Sequence, residues 1–391
     1  MSKIRICYYL ERWSSGGIES FITNMLTGIP SEELQFDIVA DVVDGDSIFT
    51  RAVNSVGVRI VQLSGKLRAR KNAKEFRRLL EENHYDIVHL HIFHGLALKY
   101  AKIAKECGVP LRIAHSHGAG FGYGRPHSPM LAVKNFVHLI SCKQLMKYVT
   151  HGFACSKAAA EFMHLSSPSI IRNGIDTERF SFSQADRERI REEFGITQKP
   201  DAVYGAKETC VIGHIGRFSP EKNHLFILDV FNEVLLHSPL PSRFNIKLML
   251  VGDGDMRPAI EKRIAELGLG DSVILTGARK DAPALLSAMD LLIFPSKAEG
   301  FGMVSLEAQA SGLPVLTTPT VAEQTGVEGA NVHAMLLTAP VGMWSDIVAT
   351  ALLDSKAQRD SGVELVKKAG YDRAQVASEL FDLYRAIANN N

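Results

Sequence analysis

The chain has 391 residues, and its 44 Lys and Arg nearly cancel its 43 Asp and Glu, leaving a formal net charge of +1. That balance weighs against a dedicated nucleic-acid binder, which carries a large basic excess. A hydrophobic share of 46% with 22% charged residues is globular rather than disordered, and the length suits two cores better than one.

The N-terminus, Met1 to Leu10, is a short apolar run interrupted by Arg5 and ended by Glu11-Arg12, so it does not read as a signal peptide. The longest apolar window, Met130 to Val149, is cut by Lys134, His138, Lys143 and Lys147, which argues against a membrane span. The five cysteines show no C-x-x-C spacing and read as scattered thiols in a reducing compartment. A soluble, cytoplasmic protein is expected.

Short apolar runs alternate with helical patterns from the first residues on. Ile4–Leu10, Phe36–Val42, Val58–Leu63, Ile87–His91, Leu111–His115 and Gly152–Cys155 predict strands. Ile18–Leu26, Lys71–Glu82 and Leu96–Cys107 predict helices between them. Such alternation implies parallel βαβ units covered on both faces. From Asn173 to about Glu208 the pattern lapses, apart from a charged helix near Arg187–Phe194. It restarts at Cys210–Gly216 and continues through Lys247–Val251, Ser272–Leu275, Leu291–Phe294, Pro314–Leu316 and Ala334–Leu337. The expectation is an α/β chain of two Rossmann-like domains facing each other across a ligand cleft. Residues 1–175 form the first and 176–372 the second.

The candidate chemistry sits where strands end. After the first strand, Gly16 and Gly17 stand at a strand-to-helix turn. There backbone N–H groups and a helix N-terminus can meet phosphate, although a plain tight turn explains the pair equally well. No G-x-G-x-x-G is present, so a nicotinamide dinucleotide is poorly supported. His89, His91, His115 and His117 end two strands. Of these, His117 is the best candidate for a substrate contact, and the H-x-H pairs match no zinc spacing. In the second half, Arg217 and Lys222 follow a strand and offer a guanidinium fork and a compact ammonium to a diphosphate. Gly252 and Gly254 shape the next strand-end turn. Finally Leu291–Phe294 runs into Glu299-Gly300-Phe301-Gly302-Met303-Val304 and a helix carrying Glu307, with seven residues between it and Glu299. The first N–H groups of that helix are unpaired within it. A loop carboxylate can accept from sugar hydroxyls, and one in the helix can reach a ribose diol.

Together these segments resemble the retaining GT-B glycosyltransferases of family 4, the group that builds exopolysaccharides, capsules and lipopolysaccharide. The resemblance rests on Gly16-Gly17, Asp86–His91, His115–Gly118, Asn173–Asp176, Gly216–Phe218 with Lys222-Asn223, Gly252–Gly254 and the Glu299/Glu307 pair. It implies that Arg217 and Lys222 stabilise the departing nucleoside diphosphate. It also implies that Glu307 holds the ribose, and that Glu299, with the N–H groups of Phe301, Gly302 and Met303 beside Val304, holds the donor sugar. Gly17 would approach the diphosphate, His117 would contact substrate, and a C-terminal helix over 373–391 would cross back to the first domain. No D-x-D motif appears, and no metal or other cofactor is expected. The donor would be a nucleoside-diphosphate sugar, most simply a UDP-hexose or UDP-N-acetylhexosamine, and the acceptor a glycan or lipid-linked sugar.

Glu323–Val332 departs from the family's pattern and leaves the contacts to the base unassigned. The loop Gly118–Pro129, in the domain that sets acceptor choice, carries no legible signature. A nucleotide-sugar epimerase and a non-catalytic sugar-nucleotide binder are the alternatives. Peripheral contact with the inner face of a membrane is also open: Lys66 to Lys71 with Lys74, Arg77 and Arg78 form a basic face, though Glu75, Glu81 and Glu82 lie among them.

Overall fold

The computed structural model describes residues 3–14, 16–29, 32–45, 47–92, 95, 97–118, 129–196, 207–354 and 359–389. The chain divides into two compact units, one of Met1–Asp176 with Gly370–Asn391, the other of Thr177–Ala369. The expected acceptor loop lies almost wholly outside the described residues.

The first unit is built on seven strands: β1 (Ile4–Trp13), β2 (Leu34–Val43), β3 (Arg59–Gln62), β4 (Ile87–Leu90), β5 (Leu111–Ser116), β6 (His151–Ala154) and β7 (Ser169–Ile170). Their order is β3-β2-β1-β4-β5-β6-β7, with every pairing parallel. Alternation along β1 builds both faces of the sheet. Ile6, Tyr8 and Leu10 enter one core with the helices Gly17–Gly28 and Arg373–Asn389, while Cys7 and Tyr9 enter a second core with the helices Arg70–Asn83 and Ala97–Glu106.

The second unit repeats the plan with β8 (Thr209–Ile215), β9 (Asn245–Val251), β10 (Val273–Gly277), β11 (Leu291–Phe294), β12 (Val315–Thr317) and β13 (Val332–Ala334), ordered β10-β9-β8-β11-β12-β13 and parallel throughout. In both units the second and third strands lie to one side of the first, and the fourth and fifth lie to the other. That reversal is the Rossmann-like arrangement, and ligands gather where it occurs, beyond the carboxyl ends of the strands. The switch point lies between β1 and β4 in one unit and between β8 and β11 in the other.

The last expected strand is displaced. Ala334–Leu337 looked like its apolar run, but β13 is Val332–Ala334, and Leu336 is 61% exposed. The C-terminal helix Arg373–Asn389 packs on the helix Gly17–Gly28. The segment Asn173–Asp176 anchors it: Ile175 pairs with Asp372, Asp176 meets Arg373 at 3.0 Å, and a Cβ on Gly174 would lie 2.9 Å from the Arg373 Cα. That part of the family resemblance is therefore a packing joint. No helix among the described residues is long and apolar enough to cross a membrane.

Candidate active site

At the switch point of the second unit, β8 and β11 are adjacent, so the loops that follow them meet. β8 leads through Gly216 and Arg217 into a single 3-10 turn, Pro220–Lys222, then Asn223 in the left-handed region (φ 62°), then the helix His224–His237. Two hydrogen bonds stitch this loop to the one after β11. The Lys297 N–H donates to the Glu221 carbonyl at 2.8 Å, and the Asn223 amide donates to the Pro295 carbonyl at 3.3 Å. These bonds bring together two predicted residues far apart in sequence. Lys222 Nζ lies 2.5 Å from Glu299 Oε1, both side chains mostly buried, and 5.0 Å above the Phe294 ring.

Gly252 closes the floor of this site. Its φ is 141°, and a Cβ would stand 2.0 Å from the Gly216 carbonyl oxygen. Only a residue without a side chain lets the turn after β9 press on the turn after β8. Arg217, by contrast, is exposed, and its guanidinium makes no hydrogen bond or ion pair among the described residues. An exposed guanidinium and a fixed ammonium carried on the same strand-end loop are groups of the kind that phosphate oxygens accept from.

Gly302, with φ 80°, turns the β11 loop into the helix Met303–Ala310. The N–H groups of Met303 and Val304 in its first turn have no intrahelical acceptor. The helix is held from behind by Gln309, which donates to the Thr325 carbonyl at 2.8 Å and accepts from the Val327 N–H at 2.9 Å. Glu307 lies half-buried on this helix, and no hydrogen bond is recorded for its carboxylate. Burial raises its pKa to about 7, against a smaller opposing pull from the Arg179 charge. The sequence reading did not single out Arg179, which precedes the unit's first helix and has no motif to mark it. It also passed over His214, which is buried beneath the loop. His214 Nδ1 bonds to the Ile293 carbonyl at 2.9 Å, and its Nε2 lies 3.0 Å from where a Gly216 Cβ would stand.

At the switch point of the first unit the glycine pair divides. A Cβ on Gly16 would meet Glu19 Oε2 at 2.7 Å, while one on Gly17 would meet nothing within 4 Å. Glu19 already tightens this turn by accepting from the Ser14 N–H and hydroxyl at 2.9 and 3.0 Å. Gly16 therefore serves the turn, and Gly17 keeps the space in front of the helix open.

The four histidines form one connected cluster. His117 Nε2 bonds to His91 Nδ1 at 2.9 Å, leaving Nδ1 as the His117 nitrogen without a recorded partner. Behind them, His89 bridges His115 at 3.1 Å and Tyr384 of the C-terminal helix at 2.6 Å. Burial lowers the pKa of all four, His117 to about 3, so the rings are neutral. Nitrogens of His89, His91 and His115 lie within 4.8 Å of one another, and Nε2 of both His91 and His115 is buried without a partner. The geometry nevertheless fits a metal ion poorly. His89 stacks face to face on His91 with 20° between planes, so the in-plane lone pairs of that pair run alongside one another, and the approach of His89 to His115 is taken up by their hydrogen bond.

The two sheets have the GT-B fold. The Anabaena protein HepE, solved with UDP-glucose, superposes with a TM-score of 0.76 at 18% identity over 98% of this chain and 99% of that one. Sucrose-phosphate synthase from Thermosynechococcus elongatus superposes with a TM-score of 0.77 at 18% identity over all of both chains. In sequence, residues 15–179 match the description "Glycosyltransferase Family 4" and residues 209–352 match "Glycosyl transferases group 1". EpsF of Bacillus subtilis strain 168, classed provisionally as a glycosyltransferase, is 26% identical over 98% of this chain and 97% of its own. An Escherichia coli UDP-Gal:alpha-D-GlcNAc-diphosphoundecaprenol alpha-1,3-galactosyltransferase is 26% identical over 62% of this chain and 59% of its own. The chain belongs to the group 1 glycosyltransferases of family 4.

Proposed function

We propose that the protein transfers a hexose or N-acetylhexosamine from a UDP-linked donor to a glycan or lipid-linked acceptor, with retention at the anomeric carbon, in cell-surface polysaccharide synthesis. The Lys222–Glu299 contact at the second unit's switch point, on the loop that also carries the exposed Arg217, carries this reading. The named donor and lipid diphosphate acceptor of the E. coli relative, and the UDP-glucose complex of HepE, support the choice of ligands.

As the C1–phosphate bond lengthens, positive charge grows on the sugar ring and negative charge on the diphosphate. Arg217 and Lys222 act where the negative charge appears, so they contribute more to the transition state than to binding. Lys222 is shared between that phosphate and Glu299, which orients the sugar hydroxyls with the N–H groups of Phe301, Gly302 and Met303, next to Val304. Glu307 accepts from the ribose hydroxyls. Gly17 leaves room for the diphosphate beside Gly16, and Nδ1 of His117 meets the substrate. In the same-face route, the acceptor oxygen forms its bond to C1 as the phosphate leaves, and the acceptor proton passes to a diphosphate oxygen. These residues supply the charge stabilisation themselves, and on this reading a chelator leaves the rate unchanged.

A donor panel incubated with lipid-linked and free glycan acceptors, read by mass spectrometry, tests the proposal. Glycosylated acceptor is expected. Epimerised donor with no acceptor product would replace transfer by epimerisation.

A further inference from the structure

The two H-x-H pairs put four rings on one face of the first unit's sheet. Side chains two apart in a strand share a face, so His89 and His91 project together from β4 and its end, and His115 and His117 from β5 and its end. Phe21 of the helix Gly17–Gly28 lies against them, its ring centroid 5.2 Å from His115, 5.1 Å from His117 and 6.0 Å from His91. His89, His91 and His115 are buried. His117 is the least covered of the four, and its ring has one recorded hydrogen bond among the described residues, to His91.

That bond has two possible directions, and the burial of His91 chooses between them. Burial holds both imidazoles well below their usual pKa, so both rings are neutral. A neutral imidazole carries a single N–H. If His91 held its hydrogen on Nε2, that N–H would be buried with nothing to donate to, because His91 Nε2 has no partner. Buried N–H groups are rarely left orphaned, whereas an under-used acceptor is tolerated more often. The hydrogen therefore belongs on Nδ1, in the 2.9 Å bond to His117 Nε2. His117 Nε2 is then the bare lone pair, and the single hydrogen of His117 sits on Nδ1, the nitrogen without a recorded partner. His91 is itself held firmly. Its backbone N–H donates to the Tyr9 carbonyl at 2.8 Å, and its ring packs against His89 and Tyr8 at centroid distances of 4.1 and 4.7 Å.

We propose that His91 is a positioning residue for the transfer: by donating from Nδ1 it locks His117 in the Nδ1–H form, so that His117 meets a substrate oxygen as a hydrogen-bond donor and not as a base. The proposal rests on the reading that His117 contacts the substrate. An Nδ1–H in that place suits a lone pair on a substrate oxygen. With Nε2 taken up by His91, His117 has no lone pair left for the acceptor's proton, which goes to the departing diphosphate instead. A His91 that served only packing would leave His117 free to carry its hydrogen on either nitrogen.

Spectroscopy and kinetics on the full chain test it together. Histidine-selective nitrogen-15 labelling with long-range proton–nitrogen NMR reports which nitrogen of His117 carries hydrogen, its signals being assigned by their loss in His117→Gln. Wild type without substrate should show His117 protonated on Nδ1 alone. His91→Asn, whose amide can stand where Nδ1 stood, should keep that form. His91→Phe, which keeps a ring but no donor, should lose it. In transfer assays with a UDP-sugar panel and a diphosphoundecaprenol-linked acceptor, His91→Phe should lower kcat/KM about tenfold, the worth of one hydrogen bond, and His91→Asn should stay within about threefold of wild type. Because His91 acts through His117, His91→Phe should slow a His117→Gln chain no further. His117 protonated on Nε2, or His91→Phe slowing His117→Gln as much as it slows wild type, would overturn the role of His91 and leave the substrate contact standing. Wild-type kinetics for His117→Gln would overturn the contact itself, and with it the part of His91 in transfer. If His91→Phe fails to fold, the wild-type spectrum and His91→Asn still decide.

Discussion

Replacing Glu307 by Gln separates the cost of burying this carboxylate from its use. In the folded chain its pKa is raised from 4.5 to about 7. An acid whose folded pKa lies above its unfolded value holds its proton longer when folded, so it is neutral at no cost below about pH 4.5. As pH rises toward 7 the unfolded chain ionises first, and the native state loses stability progressively until both forms are charged. At about 1.4 kcal/mol per pH unit, that loss totals ~3 kcal/mol, an upper figure for a side chain that keeps some solvent contact. Glutamine has nearly the same shape and no charge. Glu307→Gln should therefore match wild type near pH 4.5 and exceed it by ~2–3 kcal/mol at pH 8, in urea unfolding without nucleotide. UDP should narrow the difference, because wild type gains the ribose contact and the variant loses part of it. A stability difference that stays flat from pH 5 to 8 would refute the raised pKa and, with it, the picture of a carboxylate held ready for a ribose diol.

Three further substitutions probe the site and its support. Lys222→Met should lower kcat by roughly 10²–10³-fold with a smaller change in donor KM, as expected for a charge that matters most at the transition state; wild-type kcat would remove Lys222 from the chemistry. Gly17→Ala should stay within about 0.5 kcal/mol of wild-type stability while raising donor KM, whereas Gly16→Ala should lower the melting temperature through its clash with Glu19; the reverse pattern would show that the roles of the two glycines have been exchanged. Tyr384→Phe strips the hydroxyl that His89 and Tyr8 share and should cost about 1–3 kcal/mol in urea unfolding; an unchanged midpoint would mean that the hydrogen-bonded chain contributes nothing to stability.

The fold was legible where burial is complete. β4 and β11 are buried throughout, and such runs stand out in sequence as short apolar blocks between polar loops. β7 is two exposed residues at a sheet edge, so no block announces it. Met335-Leu336-Leu337 imitated a strand because hydrophobicity alone does not show which side faces water. The helix Pro129–Leu145 was weighed only as a membrane span, which its lysines ruled out. In the site, the loop glycines and the helix start at Met303 follow from local backbone rules and were readable. The pairing of Lys222 with Glu299 was not, since 77 positions separate them and only the adjacency of β8 and β11 unites them. The roles of Arg179 and Glu19 share that limit, because each depends on where a neighbouring element comes to rest. Asn173–Asp176 carried part of the family resemblance without a role, and its contacts with Asp372 and Arg373 show it anchoring the C-terminal helix.

The most direct test combines transfer and stereochemistry in one assay. The purified chain is incubated with a UDP-sugar panel and a diphosphoundecaprenol-linked acceptor, with and without EDTA, and the product linkage is read by NMR. The account predicts an acceptor product whose anomeric configuration matches the donor's, formed at the same rate in the chelator and roughly 10²–10³-fold more slowly by Lys222→Met. An inverted linkage, or a product that Lys222→Met forms at the wild-type rate, would contradict it.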